Sequence, residues 1–413
     1  MNILFLVKFY EPFDRGGSEW STHDLAKLLT VRGHRVTILT PNYGAKREET
    51  LDGIEIKRFS FIKKLKNPKA EITPWWTNNL IWFLYTSLIC TFYVFKEKYD
   101  VIHAHSNEFL PAAVIAGAIT KKKTIATFRD YQTICSFGFC LWHREKACNF
   151  TSYLKDDFEF FYQNYISNKN QLKYAILYLA AIRSWIVTKL LFYFATKVRH
   201  KIAVSKQLAN IFEANGIGNM ITVHNAVIVN AAAKKPKDEI AFIGKFSKGK
   251  GPDLFLESVP RISSQFPNLR YRFVGSGILE DYLREKTKEY KLQDKVIFTG
   301  RVPHEKAIQF IAGSSLVVVP SIWPEPLPRS VIEAILVGTP VVATNVGGVG
   351  EVLRNNVYGL LTRPDQNNLE ATIIRAIGKR DAFRKNISKE LKDLREHFTT
   401  QSVQKYLQIY QTK

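Results

Sequence analysis

Residues 320–351 read PSIWPEPLPRSVIEAILVGTPVVATNVGGVGE. Pro328 is excluded from a helix interior but tolerated in its first turn. A helix is therefore expected to start at Pro328–Ser330 and to run through VIEAIL to Gly338. PVVAT (340–344) follows as a short buried strand and leads into a glycine loop. A helix feeding a buried strand in this way is the repeating unit of a parallel sheet covered by helices. Glu325, boxed in by Pro324, Pro326 and Pro328, falls on the loop ahead of the helix. Glu333 falls inside it, about a turn and a half on.

Working outward, the same pattern repeats. IAFIG (240–244), YRFVG (271–275), VIFTG (296–300) and LVVVPS (316–321) read as further strands around this one. Upstream, NILFLV (2–7), RVTILT (35–40), IEIKRF (54–59), DVIHAH (100–105), TIATF (124–128), KIAVS (201–205) and ITVHN (221–225) form a second set. The helical stretch SEWSTHDLAKLLTVRG ends at Gly33, as a helix C-cap should. Periodicity lapses at NAAAKKPKDE (230–239), which reads as a linker. The fold class is α/β: two doubly wound Rossmann-like domains facing across a cleft, 1–228 and 229–395, with an amphipathic helix over 396–413. Two domains also suit a length of 413 residues.

With 46% hydrophobic and 23% charged residues the chain is neither disordered nor fibrous. Its 59 Lys+Arg against 37 Asp+Glu give +22, so an anionic partner is expected. Four cysteines are too few for a disulfide scaffold and favour a reducing compartment. MNILFLVKFYEP reads as a buried first strand, not as a signal peptide. NLIWFLYTSLICTFYVF (79–95) and YAILYLAAIRSWIVTKLLFYFATKVRH (174–200) are greasier than surface helices. Either they pack as core between sheet and helices or they enter one leaflet of a membrane.

Free N–H groups at the start of the helix after Pro328 form an anion site. Glu333 suits a ribose diol, two neutral donors meeting one carboxylate, and Glu325 suits hydroxyls of a second sugar beyond a diphosphate. In FDRGGSEW, Gly16 and Gly17 let backbone approach a diphosphate where a helix begins. In FIGKFSKGKG, Lys245 and Lys250 can neutralise charge on a leaving diphosphate. No Asp-x-Asp occurs, so no cofactor and no divalent metal are expected.

The stretch EPLPRSVIE resembles the Glu-x7-Glu element of the family 4 retaining glycosyltransferases, of GT-B fold. GGSE, HAHS, AVSKQL, VHNAV, GKFSKGKG, VGSG, FTGRV, PSIWPEP and EAILVGTPVVATNVGGVGEV extend the resemblance, in that family's order, over nearly the whole chain. The resemblance implies a nucleotide-diphosphate sugar held mainly by the second domain. It assigns Lys245 and Lys250 to the diphosphate, Glu325 to the donor sugar and Glu333 to its ribose. Backbone at Arg301–Val302 meets the base, and Gly17 the diphosphate. Leu327, Pro328, Arg329 and Ser330 complete the donor site.

Two departures stand out. The family's His-Asp at the end of the fifth strand is here Arg129–Asp130 in TFRDYQ. An arginine accepts no proton, so Arg129 is expected to grip an acceptor or donor phosphate. The family's glycine two or three places after the first Glu is here Pro328, so one backbone contact to the sugar falls to Leu327 or Arg329. His105, with Asp130, is expected at the acceptor or lining the cleft, and His103 shares its strand face. Cys135, Cys140 and Cys148, with His143, make either a zinc site or a thiol-bearing acceptor loop.

Three functions follow: a retaining sugar transferase, an epimerase or hydrolase of the same architecture, and a basic nucleic-acid-binding protein. The last predicts a Lys/Arg stripe with interleaved aromatics or a recognised module; none is visible, and no nucleic-acid partner is expected. The Lys-rich FIKKLKNPKAEITPWW precedes the first greasy segment, with Trp75 and Trp76 at its edge. The expectation is a cytoplasmic enzyme held peripherally on the inner face of an anionic membrane, with a glycan or lipid-linked acceptor.

Overall fold

The computed structural model describes residues 1–65, 72–138, 149–166, 169–231 and 235–412. They group into two compact units. One comprises Met1–Glu159, Lys169–Ala226 and Phe398–Lys413; the other comprises Phe160–Asn168 and Val227–His397. Phe160–Asn168 thus joins the second unit although it lies within 1–228 in sequence.

The first unit holds β1 (Asn2–Leu6), β2 (Arg35–Pro41), β3 (Glu48–Leu51), β4 (Ile54–Phe59), β5 (Val101–Ala104), β6 (Lys123–Phe128), β7 (His200–Ala203) and β8 (Met220–Thr222). Their order in the sheet is β3-β4-β2-β1-β5-β6-β7-β8. All pairs are parallel except β3 with β4. Ile3 to Leu6 are fully buried, as a central strand covered on both faces requires. The hairpin β3–β4 turns on Asp52 and Gly53, both left-handed at φ 52° and 77°. That backbone is the Asp-Gly turn that matches strand twist.

The second unit holds β9 (Glu239–Ile243), β10 (Arg270–Val274), β11 (Val296–Gly300), β12 (Leu316–Val319), β13 (Val341–Thr344) and β14 (Gly359–Thr362). The order is β11-β10-β9-β12-β13-β14, all parallel. Strand order therefore reverses between β9 and β12 here, and between β1 and β5 in the first unit. In open α/β sheets a ligand crevice opens at the carboxyl ends of strands at such a reversal.

The helix Ser402–Gln411 puts Val403, Tyr406, Ile409 and Tyr410 into the same apolar cluster as Ile3, Phe5 and Ile38 of the first unit. The greasy segments form the helices Leu80–Glu97 and Gln171–Lys197, capped by Asn79 and Asn170. Only 33% and 17% of their most apolar windows are buried. Each helix therefore buries one face and exposes the rest. Trp82, Phe83, Cys90 and Val94 face inward, while Ile81, Leu84, Leu88 and Phe92 face out, as do Leu172, Leu179 and Ile186 on the longer helix. Both are long and apolar enough to cross a membrane. The shorter one nevertheless leads directly into β5, which pairs with β1, and its inner face packs on the unit.

Candidate functional site

In the second unit the loops after β9 and β12 lie side by side at the strand-order reversal, and glycines let them touch. A Cβ on Gly251, at φ 67°, would stand 2.0 Å from the carbonyl oxygen of Pro320. The amides of Ile322 and Trp323 donate to the Gly249 carbonyl at 3.0 and 3.4 Å. This stitching delivers Lys250 to Glu325. Oε1 of Glu325 accepts from Lys250 Nζ at 2.6 Å, Ser321 Oγ at 2.5 Å and Trp323 Nε1 at 2.8 Å. The Lys250 ammonium also sits 5.0 Å from the Trp323 ring centroid.

Burial alone would raise the Glu325 carboxyl. The charge and hydrogen bond of Lys250, with those of Ser321 and Trp323, more than reverse this and hold it below the usual range. The loop after β13 closes the other side of the residue. Gly347, at φ 58°, lies so close that a Cβ would stand 2.0 Å from the Glu325 carbonyl oxygen. The Gly348 amide donates to that same oxygen at 2.7 Å. The glycine loop that ends the opening stretch thus folds back onto its first glutamate.

Glu333 lies in the helix Arg329–Leu336, capped by Pro328. It is buried, and its Oε1 accepts from His304 Nε2 at 2.7 Å and from Arg329 Nε at 2.5 Å. Burial works against the charge here too, but the Arg329 charge and the His304 bond hold the carboxyl below its ordinary value. Arg329 is itself buried and engages Glu333 one turn away along the helix. Leu327 and Pro328 are buried, Ser330 is half-buried, and Lys245, Arg301 and Val302 follow the carboxyl ends of β9 and β11, with the Lys245 and Arg301 side chains exposed.

In the first unit, Gly16 takes φ 148° and precedes the helix Gly17–Val31. Arg129 and His105 follow the carboxyl ends of β6 and β5. Arg129 donates from Nε to Asn225 Oδ1 at 2.9 Å and from Nη1 to His105 Nδ1 at 2.8 Å. His105 therefore meets the guanidinium as a neutral ring. Burial first, then the charges of its neighbours His103 and Arg129, push its pKa well below the ordinary value. His103 bonds Tyr410 Oη and Thr127 Oγ1, each at 2.8 Å. Asp130 bonds the Asn107 side chain at 2.7 Å and the Gln132 amide at 2.8 Å, and burial raises its carboxyl to about 6.

The structure thus brings Lys250 to Glu325, Arg329 to Glu333, and Arg129 to His105. Sequence reasoning missed Ser321, Trp323 and His304, and also Tyr165, whose Oη accepts from the Gly249 amide at 3.3 Å. Ser321 and Trp323 stood within the quoted motif as polar residues in an apolar loop. Nothing local marked His304 or Tyr165. Cys135 is buried with Sγ 3.6 Å from Asp157 Oδ2; Cys140, Cys148 and His143 lie outside the described residues.

Residues 15–230 match Glycosyltransferase Family 4, and residues 226–393 match Glycosyl transferases group 1. The YtcC protein of Bacillus subtilis is 32% identical over 169 residues, 39% of this chain and 40% of that one. A human phosphatidylinositol N-acetylglucosaminyltransferase chain is 24% identical over 387 residues, 91% of this chain and 68% of that one. Among solved structures, Anabaena HepE in complex with UDP-glucose superposes with a TM-score of 0.69 at 19% identity, covering 99% of each chain. Two Rossmann-like units, each with its strand-order reversal, and family matches that together run from residue 15 to residue 393 lead to one conclusion: the chain belongs to glycosyltransferase family 4 and has the GT-B fold.

Proposed function

We propose that this glycosyltransferase moves a sugar from a nucleotide-diphosphate sugar to a lipid-linked or glycan acceptor, with retention at the anomeric carbon and without a divalent metal. The observation that carries the reading is the pairing of Glu325 with Lys250 at the strand-order reversal, a short way along the chain from Glu333 with Arg329 and His304. Glu325 offers its carboxylate to hydroxyls of the donor sugar, and Glu333 offers its own to the ribose. Lys250, with Lys245, meets the diphosphate as it leaves.

Neither glutamate is a good base, because each is held ionised below its usual range by cations that stabilise the charge. Arg129 stays protonated. The acceptor hydroxyl's proton is assigned to the diphosphate oxygen released when the anomeric C–O bond breaks, the atom on which negative charge grows as that bond opens. Attack on the face the diphosphate leaves brings these two oxygens together and keeps the configuration. HepE, solved with UDP-glucose, and the human relative, named for transfer of N-acetylglucosamine to a phosphatidylinositol, support nucleotide sugars as first donors and a lipid-linked acceptor.

A thermal-shift panel of UDP-, GDP- and ADP-sugars identifies the donor class. Transfer is then followed by release of nucleoside diphosphate with and without a lipid extract as acceptor, and the anomeric configuration of the product is read by NMR. Release that depends on acceptor supports transfer; equal release without it supports the hydrolase or epimerase alternative.

A further inference from the structure

The first unit carries a cavity of about 1000 Å³ between the start of the helix Leu80–Glu97 and the middle of the helix Gln171–Lys197. Its walls include Phe61, Trp76, Trp82, Val187 and Leu190. Among the described residues, none lining it is acidic, and Arg183 is its one charged member. Arg183 stacks 4.4 Å from the Trp75 ring centroid, and Lys63 stands 4.6 Å from that of Trp76. Two cations thus rest on two rim indoles. Trp82 lines the cavity and is itself only 3% exposed. Around the opening, Leu80, Ile81 and Ile186 point their side chains outward.

An apolar chamber whose rim carries cations matches one chemistry: a hydrocarbon chain ending in a phosphate. A stretch of apolar protein would fill the chamber but leave the rim cations without counter-charge. We propose that this cavity holds the hydrocarbon chain of the lipid-linked acceptor, with its phosphate against Arg183, Lys63 and the indole rim. The proposal rests on the lipid-linked acceptor in the function proposed above and adds the place where its chain is held. The outward apolar faces of the two helices set the opening where a chain leaving the bilayer enters without crossing water.

The test uses the full-length protein and 11,12-dibromo-octadecyl phosphate below its critical micelle concentration, because bromine quenches indole emission on contact. Among the described residues, Trp75, Trp76 and Trp82 are the tryptophans that line the cavity. Saturable quenching at one equivalent is expected. Val187→Phe and Ser60→Phe, filling variants that each occupy part of the chamber, should weaken the quenching while keeping the thermal midpoint. Arg183→Gln should weaken the phosphate at least about tenfold, the lower range for a charge-assisted bond, and leave dibromo-octadecanol unaffected. Quenching that does not saturate, or that survives both filling variants at full strength, overturns the proposal. Sedimentation with vesicles of 30% phosphatidylglycerol in phosphatidylcholine separates the two readings. Vesicle binding without saturable quenching sinks the cavity and leaves membrane attachment standing. Saturable quenching in an enzyme that glycosylates only soluble glycans confirms a chain-binding cavity and sinks its assignment to the acceptor.

Discussion

At Glu325 three donors converge on one carboxylate oxygen, and one of them is an ammonium. A Glu325→Gln substitution keeps the volume but removes the charge that faces Lys250. If Glu325 holds the reacting sugar more tightly in the transition state than before it, kcat should fall about 10²–10³-fold. The donor KM should move little. Glu333→Gln should do the reverse, raising donor KM with kcat nearly kept, since a ribose contact is uniform binding. Steady-state kinetics with the identified donor checks both. Lys245→Ala and Lys250→Ala should each cost about 2–4 kcal/mol of transition-state stabilisation. Activity should also survive EDTA. Loss restored by a divalent ion would defeat the metal-free reading.

His105 supports a pH prediction at the same scale. Its folded pKa lies well below 6.5, so from about 6.5 downward the unfolded chain binds a proton that the folded chain refuses. Stability is therefore lost as pH falls. His105→Gln removes that penalty, and its stability deficit relative to wild type should shrink by about 1.4 kcal/mol between pH 7.5 and 5.5. Asp130, raised to about 6, and Glu19, raised to about 7 chiefly by burial, act in the opposite sense. For that reason the comparison is between variant and wild type at each pH, by urea titration, and not between pH values for one protein.

At the scale of elements, the glycine loop after β13 sets where Glu325 stands. Gly347→Ala places a Cβ against the Glu325 backbone in a left-handed conformation. It should cost on the order of 1–3 kcal/mol and lower kcat alongside Glu325→Gln. Gly378, inside the helix Gln366–Glu396 with nothing within 4 Å of an added methyl, is the control. Gly378→Ala should add roughly 0.5–1 kcal/mol. Most strands were legible because short apolar runs between turn residues are a local signal. Glu48–Leu51 was not, since an exposed polar edge strand has no apolar period. The Asp52–Gly53 turn beside it was the usable clue. Gly359–Thr362 did not stand out because GLLT offers only two apolar residues, and its pairing with β13 supplies the rest of the signal.

For the whole molecule, +22 and two helices with outward apolar faces combine in a testable way. Attraction of about 1 kcal/mol per basic residue at an anionic surface adds to burial of the exposed Leu and Ile side chains. The protein should sediment with anionic but not neutral vesicles, and salt should reverse it. Leu84→Glu with Leu88→Glu, on one exposed helix face, should abolish sedimentation with the thermal midpoint kept. Equal sedimentation of wild type and variant would remove these helices from the contact.

The sequence by itself determined the α/β class, most strands of both units, and the position of Glu325 ahead of a helix and Glu333 inside it. Proline, glycine and apolar periodicity act over a few residues and are readable wherever they occur. The ordered motifs added the family. Tertiary structure alone decided which donors meet those carboxylates. Lys250 reaches Glu325 because β9 and β12 are neighbours in the sheet, and His304 reaches Glu333 from beyond the end of β11. It also decided that the two apolar helices turn much of their surface outward. Composition is the same for a buried helix and an exposed one; only the packing of the chain around it assigns its faces.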